Sequence, residues 1–386
     1  ALLANTAPVA FGSMGTPVIA LQGVTGMDLF VLTRVIAALL TPFCVLVPFW
    51  LVWAFAGFKR TCEVWPAIVV SGLSFGLTQF AVARWHGPWL VDVSASVLGL
   101  CVLVLFLRVW KPKHLLDAQQ KEIAAGARTR KDAGKVVRAA LPWVILTVMV
   151  IVWGTPRFSA WLNRATTLRA PVAGLDGAVF RNVPVVARPV AEGAVFVFNW
   201  LSATGTGILI AAVIAGLAMR LRPGVIARVL LETAVSIRFT MATVAVLMAL
   251  AFVVRFSGLD ATLGLAFART GVLYPIFGTL IGWLGTAFSG SDTSSNVLFG
   301  SLQKFTAHQL GISPEIMAAA NSGGGVMGKM VAPQSVVIAS TATGIYGAEG
   351  AILRFVIVPS FVLALLMGGL VLLVVHFPLL TRLILH

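Results

Sequence analysis

Long apolar runs alternate with short polar turns along most of the chain. A helix needs roughly 20 apolar residues to cross the hydrocarbon core of a bilayer, and many of these runs reach that length. The pattern predicts an all-α polytopic membrane protein with about 9–11 membrane segments. We expect these segments near 28–57, 65–83, 88–109, 140–154, 196–219, 229–254, 259–269 and 353–377.

Two apolar stretches are interrupted by polar residues and helix breakers. The first covers residues 1–22, where the breaks are Asn5, Thr6, Pro8, Gly12, Gly15 and Pro17. The second covers residues 289–335 and contains SGSDTSSN and ANSGGGVMGKMVAPQS. Irregular backbone is tolerated at membrane depth only where protein or a water-filled cavity satisfies it. We therefore predict interrupted or re-entrant helices in both places.

An internal repeat relates these two stretches. ANTAPVAFGSMGTP at 4–17 aligns without gaps to ANSGGGVMGKMVAP at 320–333, and an Ala, an Asn, a Gly, a Met and a Pro coincide. A chance match between Gly- and Ala-rich segments is the alternative. Paired broken segments are typical of inverted-repeat secondary transporters and point to their binding site.

The repeat predicts how the chain is organised. We expect one transmembrane transporter domain over 1–386, with an incomplete N-terminal repeat at 1–110, a cytoplasmic linker at 111–139 and a C-terminal repeat at 140–386. The counterpart of the break at 289–296 would precede residue 1, so we expect the native protein to extend further upstream.

Composition excludes several classes of function. The chain is 59% hydrophobic and 11% charged, with a mean hydropathy of +0.98, whereas soluble proteins are about 25% charged. A soluble enzyme is therefore excluded. The net charge of +15 reflects basic loops, which in the cytoplasm follow the positive-inside rule, and it does not indicate nucleic acid. A second loop at 155–193 should lie on the opposite side, although it carries five arginines.

No metal, cofactor or catalytic motif is indicated. The three cysteines are far apart, the histidines do not cluster, and G-x-S-x-G, H-E-x-x-H and P-loop patterns are missing from the sequence. We therefore predict that the protein is not an enzyme and uses no cofactor.

The break at 289–296 is the strongest candidate site. A helix that starts at membrane depth presents free N–H groups and a partial positive charge, which suit a carboxylate. An extramembrane turn with a capped helix is the alternative reading. We assign substrate binding here to Ser291, Thr293, Ser294, Ser295 and Asn296.

Asp292 is an acid at membrane depth, where acids are costly and usually functional. A protonatable Asp292 would carry a coupled proton, whereas a carboxylate held by backbone N–H groups would only cap the helix. Lys329 is a cationic partner for an anionic substrate, or it pairs with Asp292 or reaches an interface. The other residues assigned to substrate binding are Asn5, Thr6, Asn321, Ser322, Gln334 and Ser335.

The sequence resembles the bacterial L-lactate permease family, whose members also take up glycolate. The resemblance rests on GWLGTAFSGSDTSSNVLFGSLQ at 282–303 and AANSGGGVMGKMVAPQSVVIA at 319–339. Weaker similarity lies in LANTAPVAFG at 3–12, GFKRTCEVWPAIVVSG at 57–72 and FSGLDATLGLAFARTG at 256–271.

The resemblance implies a proton-coupled symporter of short 2-hydroxy monocarboxylates, such as lactate and glycolate, in the multi-pass bacterial plasma membrane. It also implies a longer protein and kinship with two-repeat transporters, several of which move as elevators. A sodium-coupled organic-anion carrier and a passive anion channel remain alternatives. The expected partners are the monocarboxylate, protons and the lipid bilayer, not nucleic acid. A monomer and a homodimer are both open.

Overall fold

The computed structural model describes residues 7–111, 133–182, 189–259, 262, 266–336, 339 and 349–385, and most of these residues are helical. The first helices are α1 (Gly12–Thr25), α2 (Leu29–Ala56), α3 (Phe58–Glu63), α4 (Trp65–Trp85), α5 (Val91–Val109), α6 (Ala133–Gly154), α7 (Pro156–Thr166), α8 (Thr204–Ala218) and α9 (Pro223–Ser257). They are followed by α10 (Tyr274–Ser289), α11 (Asp292–Leu310), α12 (Pro314–Gly328), α13 (Glu349–His376) and α14 (Pro378–Leu385). Short 3-10 turns cover Ala7–Phe11, Ala268–Leu273 and Lys329–Val331.

Several of these helices are long and apolar enough to cross a bilayer. Five qualify within the described residues: α2, α4, α5, the 268–289 segment that includes α10, and α13. A sixth span forms if Arg138–Gly154 and Arg157–Thr166, which meet at 72°, count together. The predicted polytopic helical membrane protein is thus confirmed, while the total of 9–11 segments and the sidedness of the loops stay predictions.

The region between residues 155 and 200 contains more structure than the predicted loop. Helix α7 is followed by four short strands: β1 (Leu168–Pro171), β2 (Phe180–Arg181), β3 (Val190–Ala191) and β4 (Val195–Phe198). Strand β1 pairs antiparallel with β4, and β2 pairs antiparallel with β3. Most of the predicted linker at 111–139 lies outside the described residues, and α6 begins at Ala133, earlier than the predicted span at 140.

Contacts divide the chain into two compact units. The first contains residues 1–111, 183–187 and 247–386, and the second contains 112–182 and 188–246. Helix α9 contributes to both. The division follows contacts and does not test the predicted repeat boundaries, which remain a prediction. All the residues of the candidate site that the structure describes belong to the first unit.

Small residues bring the backbones of α10 and α12 together in the first unit. A Cβ on Gly282 would overlap the Asn321 carbonyl oxygen, and a Cβ on Gly324 would overlap the Thr279 carbonyl oxygen. Close approach through glycine is a common packing mode of membrane helices, because dispersion contacts replace the hydrophobic driving force there. This contact holds α12 beside α10 where both helices carry polar residues.

The first interrupted stretch also breaks as predicted within its described part. Met14 and Gly15 have positive φ values of 61° and 77°, so the chain leaves regular helical geometry just before Pro17. The remainder of α1 packs along α11, and buried Phe11, Val18 and Leu21 belong to the main apolar core of the unit.

Candidate functional site

Helices α10 and α11 are separated by a sharp break at Gly290 and Ser291. Gly290 adopts the left-handed conformation (φ 73°, ψ 10°), which ends α10 and which a residue without Cβ adopts at no cost. Ser291 is extended, and its Oγ accepts a 3.3 Å hydrogen bond from the Ser294 N–H, as an N-cap does. The residue order Gly-Ser-Asp therefore ends one helix and starts the next within two residues.

Asp292 lies at the start of α11, and its side chain is 3% exposed. Its Oδ2 accepts a 2.7 Å hydrogen bond from Ser322 Oγ and a 3.4 Å bond from Asn296 Nδ2. Its Oδ1 is buried and has no hydrogen-bond partner among the described residues. The burial places Asp292 inside the protein rather than in an aqueous turn.

A row of buried polar side chains leads to this carboxylate. Tyr274 Oη donates to Gln303 Oε1 at 2.8 Å, and Gln303 Nε2 donates to Asn321 Oδ1 at 3.2 Å. Asn321 Nδ2 in turn donates to Asn296 Oδ1 at 3.0 Å. We call Gln303, Asn321 and Asn296 the amide chain. The structure thus brings the predicted Asn296 and Asn321 together with Asp292.

Sequence reasoning missed two members of this row. Gln303 lies seven residues after Asn296, so the two amides share one face of α11. That spacing was a signal within the SGSDTSSNVLFGSLQ segment. Tyr274 carried no local signal, because its contact with Gln303 depends on how α10 packs against α11.

The first interrupted stretch reaches the same place. Asn296 Nδ2 donates to the Pro17 carbonyl at 3.2 Å, and Ser301 Oγ donates to the Val24 carbonyl at 3.0 Å. Lys304 Nζ donates to the Thr25 carbonyl at 2.6 Å. The segments paired by the repeat therefore meet across α11. Asn5 and Thr6, assigned to substrate binding, lie outside the described residues.

Lys329 lies across the break from Asp292. Its half-buried ammonium donates to the Gly290 carbonyl, and it interacts electrostatically with Asp292. Gln334 is exposed, and its Nε2 is 3.4 Å from the Ser289 carbonyl oxygen. Both side chains thus satisfy carbonyls at the C-terminal end of α10, where partial negative charge accumulates. An ammonium has three donors, so one contact does not exhaust it.

The remaining predicted hydroxyl residues have structural contacts or lie nearby. Ser295 is fully buried, and its Oγ donates to the Gly282 carbonyl at 2.9 Å, which holds α11 against α10. Ser294 is buried on the first turn of α11, and Thr293 is partly exposed there. Ser335 is buried two residues after Pro333. Their placement around the break agrees with the predicted site, but their assignment to substrate remains a prediction.

Thr286, on the last turn of α10, is a further polar residue that the sequence did not single out. It is fully buried, and its hydroxyl has no hydrogen-bond partner in the described part of the chain. A Cβ on Gly325 would overlap Asp292 Oδ1 and would lie 2.7 Å from Thr286 Oγ1, so both unpartnered oxygens face the same point.

The site is a cluster of polar side chains in an apolar protein. Across the described ranges, no three His, Cys, Asp or Glu side chains lie close enough together to hold a metal ion. The groups present are one carboxylate, one ammonium, amides, hydroxyls and the first N–H groups of α11, which have no intrahelical acceptors. Such groups can bind a small anion and exchange a proton.

Comparison with known proteins identifies the family. Residues 1–378 match the family described as L-lactate permease. The glycolate permease GlcA of Escherichia coli K12 is 39% identical over 388 residues, covering 95% of this chain and 69% of that protein. The L-lactate permease of Salmonella typhimurium is 38% identical over 377 residues (95% and 68%), and that of Bacillus subtilis is 37% identical over 389 residues (95% and 69%).

No solved structure matches the chain. The family match and the apolar helices agree on a multi-pass protein of the bacterial inner membrane and on a transporter rather than an enzyme. With matches at this identity over nearly its whole length, the chain belongs to the L-lactate permease family.

Proposed function

We propose that this protein transports lactate, glycolate and similar 2-hydroxy monocarboxylates across the inner membrane together with protons. The relatives named for L-lactate and glycolate transport support the substrate class. The observation that carries the coupling proposal is Asp292, a buried carboxyl at a helix break with one oxygen held by two donors and the other unpartnered.

The membrane potential gives proton coupling a physical reason. A small carboxylic acid with a pKa like that of Asp, about 3.9, is ionised at pH 7. Inward movement of the anion alone opposes an inside-negative potential by about 2.3 kcal/mol per 100 mV. One accompanying proton makes the movement electroneutral, and the pH gradient can then drive accumulation.

We place the substrate carboxylate at the first turn of α11, near Ser291, Thr293 and Ser294. Free N–H groups and the helix dipole favour an anion there. Lys329, whose ammonium lies at the adjacent Gly290 carbonyl, would supply the positive charge. The exposed amide of Gln334 would bind the 2-hydroxyl group, since the Asn321 amide is engaged at both ends.

Asp292 is the proton carrier in this scheme, and Asp292→Asn tests it. The matched control is Asp28→Asn, because Asp28 caps α2 at its N-terminus and Asn caps a helix equally well. Each purified variant is reconstituted into liposomes. Uptake of labelled L-lactate is measured with a proton gradient directed inward (outside acidic), and exchange of labelled for unlabelled lactate (counterflow) is measured without a gradient.

Asp292→Asn should abolish accumulation driven by the pH gradient but retain counterflow, because exchange of substrate for substrate needs no net proton movement. The Asp28→Asn control should accumulate lactate normally. Gradient-driven accumulation by Asp292→Asn at the wild-type level would remove Asp292 from the coupling role.

The same vesicles distinguish the alternatives. Uptake that disappears when choline replaces sodium would identify a sodium-coupled carrier. Non-saturating flux without accumulation would identify a passive anion channel, since a channel cannot move its substrate against a gradient.

A further inference from the structure

Among the buried threonines that the structure describes, Thr286 differs from the others named below in where its hydroxyl points. A helical threonine usually bonds the carbonyl four residues before it. That carbonyl belongs to Gly282, and it accepts instead from Ser295 Oγ at 2.9 Å. The threonines that do make the usual i−4 bond at buried positions include Thr25, Thr33, Thr279 and Thr306.

The hydroxyl of Thr286 is therefore directed to the side of α10 where Asp292 lies. Thr286 Oγ1 and Asp292 Oδ1 are both buried without partners among the described residues, so they do not bond each other in this conformation. Both lie within 2.7 Å of the position that a Cβ on Gly325 would take. Because Gly325 has no side chain, the position beside the two oxygens that a Cβ would fill is left to them.

The amide chain fixes which group of Asn296 faces the Asp292 carboxyl. Gln303 Nε2 donates to the Gly278 carbonyl at 2.7 Å, and Asn296 Nδ2 donates to the Pro17 carbonyl at 3.2 Å. Backbone carbonyls only accept, so both ends of the chain have a fixed orientation. Asn296 must then present its N–H groups, not its oxygen, to Asp292.

Two donors thus converge on Asp292 Oδ2, one from Asn296 and one from the Ser322 hydroxyl. A proton on Oδ2 would face the Asn296 amide, which cannot accept it, and would displace the bond that the Ser322 hydroxyl donates to that oxygen. A proton on Oδ1 would face Thr286. Side-chain amides do not release their own protons at ordinary pH, so the amide chain orients the carboxyl and does not conduct protons.

We propose that Thr286 is the hydrogen-bond partner of the coupled proton at Asp292 Oδ1. A hydroxyl suits this position because it both donates and accepts. Once a side-chain rotation brings the two oxygens within bonding distance, the hydroxyl can donate to the ionised carboxylate and accept from the protonated carboxyl. The inference rests on the proposed role of Asp292 as proton carrier and adds the residue that makes its protonation reversible.

Few other charged groups bear on Asp292. Helices α1 and α10 carry no charged side chain, and the one acid of α12, Glu315, lies on its first turn, away from Ser322. The charged group that faces Asp292 from the described neighbouring elements is the Lys329 ammonium. Substituting Thr286 leaves Lys329 and its contact with Gly290 in place.

The test replaces Thr286 by Val, which keeps the shape but removes the hydroxyl, and by Ser, which keeps the hydroxyl. Thr279→Val is the matched control, since Thr279 is equally buried two turns earlier on α10 but bonds the Pro275 carbonyl. In the reconstituted protein, the infrared C=O band of protonated Asp292 is measured as a function of pH. The band is identified by its loss in Asp292→Asn. The pH profile of lactate uptake is recorded in parallel.

Thr286→Val should raise the midpoint of both titrations by about one pH unit, a tenfold change in proton affinity, because an ionised group loses more from a missing hydrogen bond than a neutral one. Thr286→Ser and Thr279→Val should keep the wild-type midpoint. An unchanged midpoint in Thr286→Val, or an equal shift in Thr279→Val, would overturn the proposal.

The two readouts separate this inference from the proposed function. A shifted infrared midpoint in a protein that does not transport lactate would support Thr286 as the proton partner and refute the substrate. A titrating Asp292 band that Thr286→Val leaves unmoved would refute only the role of Thr286. If no titrating band is lost in Asp292→Asn, both the proton carrier and its partner are refuted.

Discussion

Gly325→Ala should impair transport in a protein that still folds. The new Cβ would overlap Asp292 Oδ1 and would lie 2.7 Å from Thr286 Oγ1. Separations below 3.0 Å from a Cβ are essentially never seen, so the carboxyl must retreat by about 1 Å. Such a retreat stretches or breaks the bonds that Ser322 and Asn296 make to Oδ2.

The expected magnitude follows from that displacement. A misplacement of about 1 Å at a reacting group can cost on the order of 10²-fold in rate, while an extra methyl in a packed interior costs about 1–3 kcal/mol of stability. We therefore expect lactate uptake driven by a pH gradient to fall roughly 100-fold in Gly325→Ala, in a protein that still folds.

Gly323, two residues before Gly325 on α12, supplies the control for this prediction. A Cβ on Gly323 would meet the flexible end of Met367, with Cε and Sδ at 3.2 Å, and that end can move aside. Initial uptake rates and thermal unfolding are compared for Gly323→Ala and Gly325→Ala at equal reconstituted amounts. Uptake by Gly325→Ala at the rate of Gly323→Ala would refute the argument that the Asp292 carboxyl must stay where it is.

Two further substitutions test the framework around the site. Gly324→Ala should be less stable than Gly323→Ala by about 1–3 kcal/mol and should unfold at a lower temperature, because its Cβ would overlap the rigid carbonyl of Thr279. Equal melting of the two variants would contradict the close approach of α10 and α12. Lys329→Gln should lower the free energy of unfolding by about 1.5–3 kcal/mol, because the hydrogen bond from the ammonium to the Gly290 carbonyl is charge-assisted. It should also raise the half-saturating lactate concentration, and an unchanged value would remove Lys329 from substrate binding.

Local chemistry explains what the sequence could predict. The Gly-Ser-Asp order at 290–292 signals the end of one helix and the capped start of another, and both are present. The repeat pairs Asn321 and Ser322 with the first interrupted stretch. In the structure, the Asn296 amide contacts both the Ser322 hydroxyl and the Pro17 carbonyl.

Features that depend on packing could not be predicted in the same way. Thr286 looks like an ordinary helical threonine until Ser295 is seen to occupy the Gly282 carbonyl. Lys329 carries a charge suited to a substrate, yet only the fold shows that its ammonium already contacts Gly290. The strands between 168 and 198 are short and exposed, so neither length nor alternation distinguished them from a loop.

The first unit is assembled from the beginning and the end of the chain, and this has a consequence for biosynthesis. The bond between Asn296 and the Pro17 carbonyl joins residues 279 positions apart. At a synthesis rate of about 5–20 residues per second, the ribosome needs roughly 15–60 s to supply the second partner. During that interval α1 and α2 are in the bilayer without α11 and α12, so the surfaces that they bury against those helices in the folded protein are still uncovered.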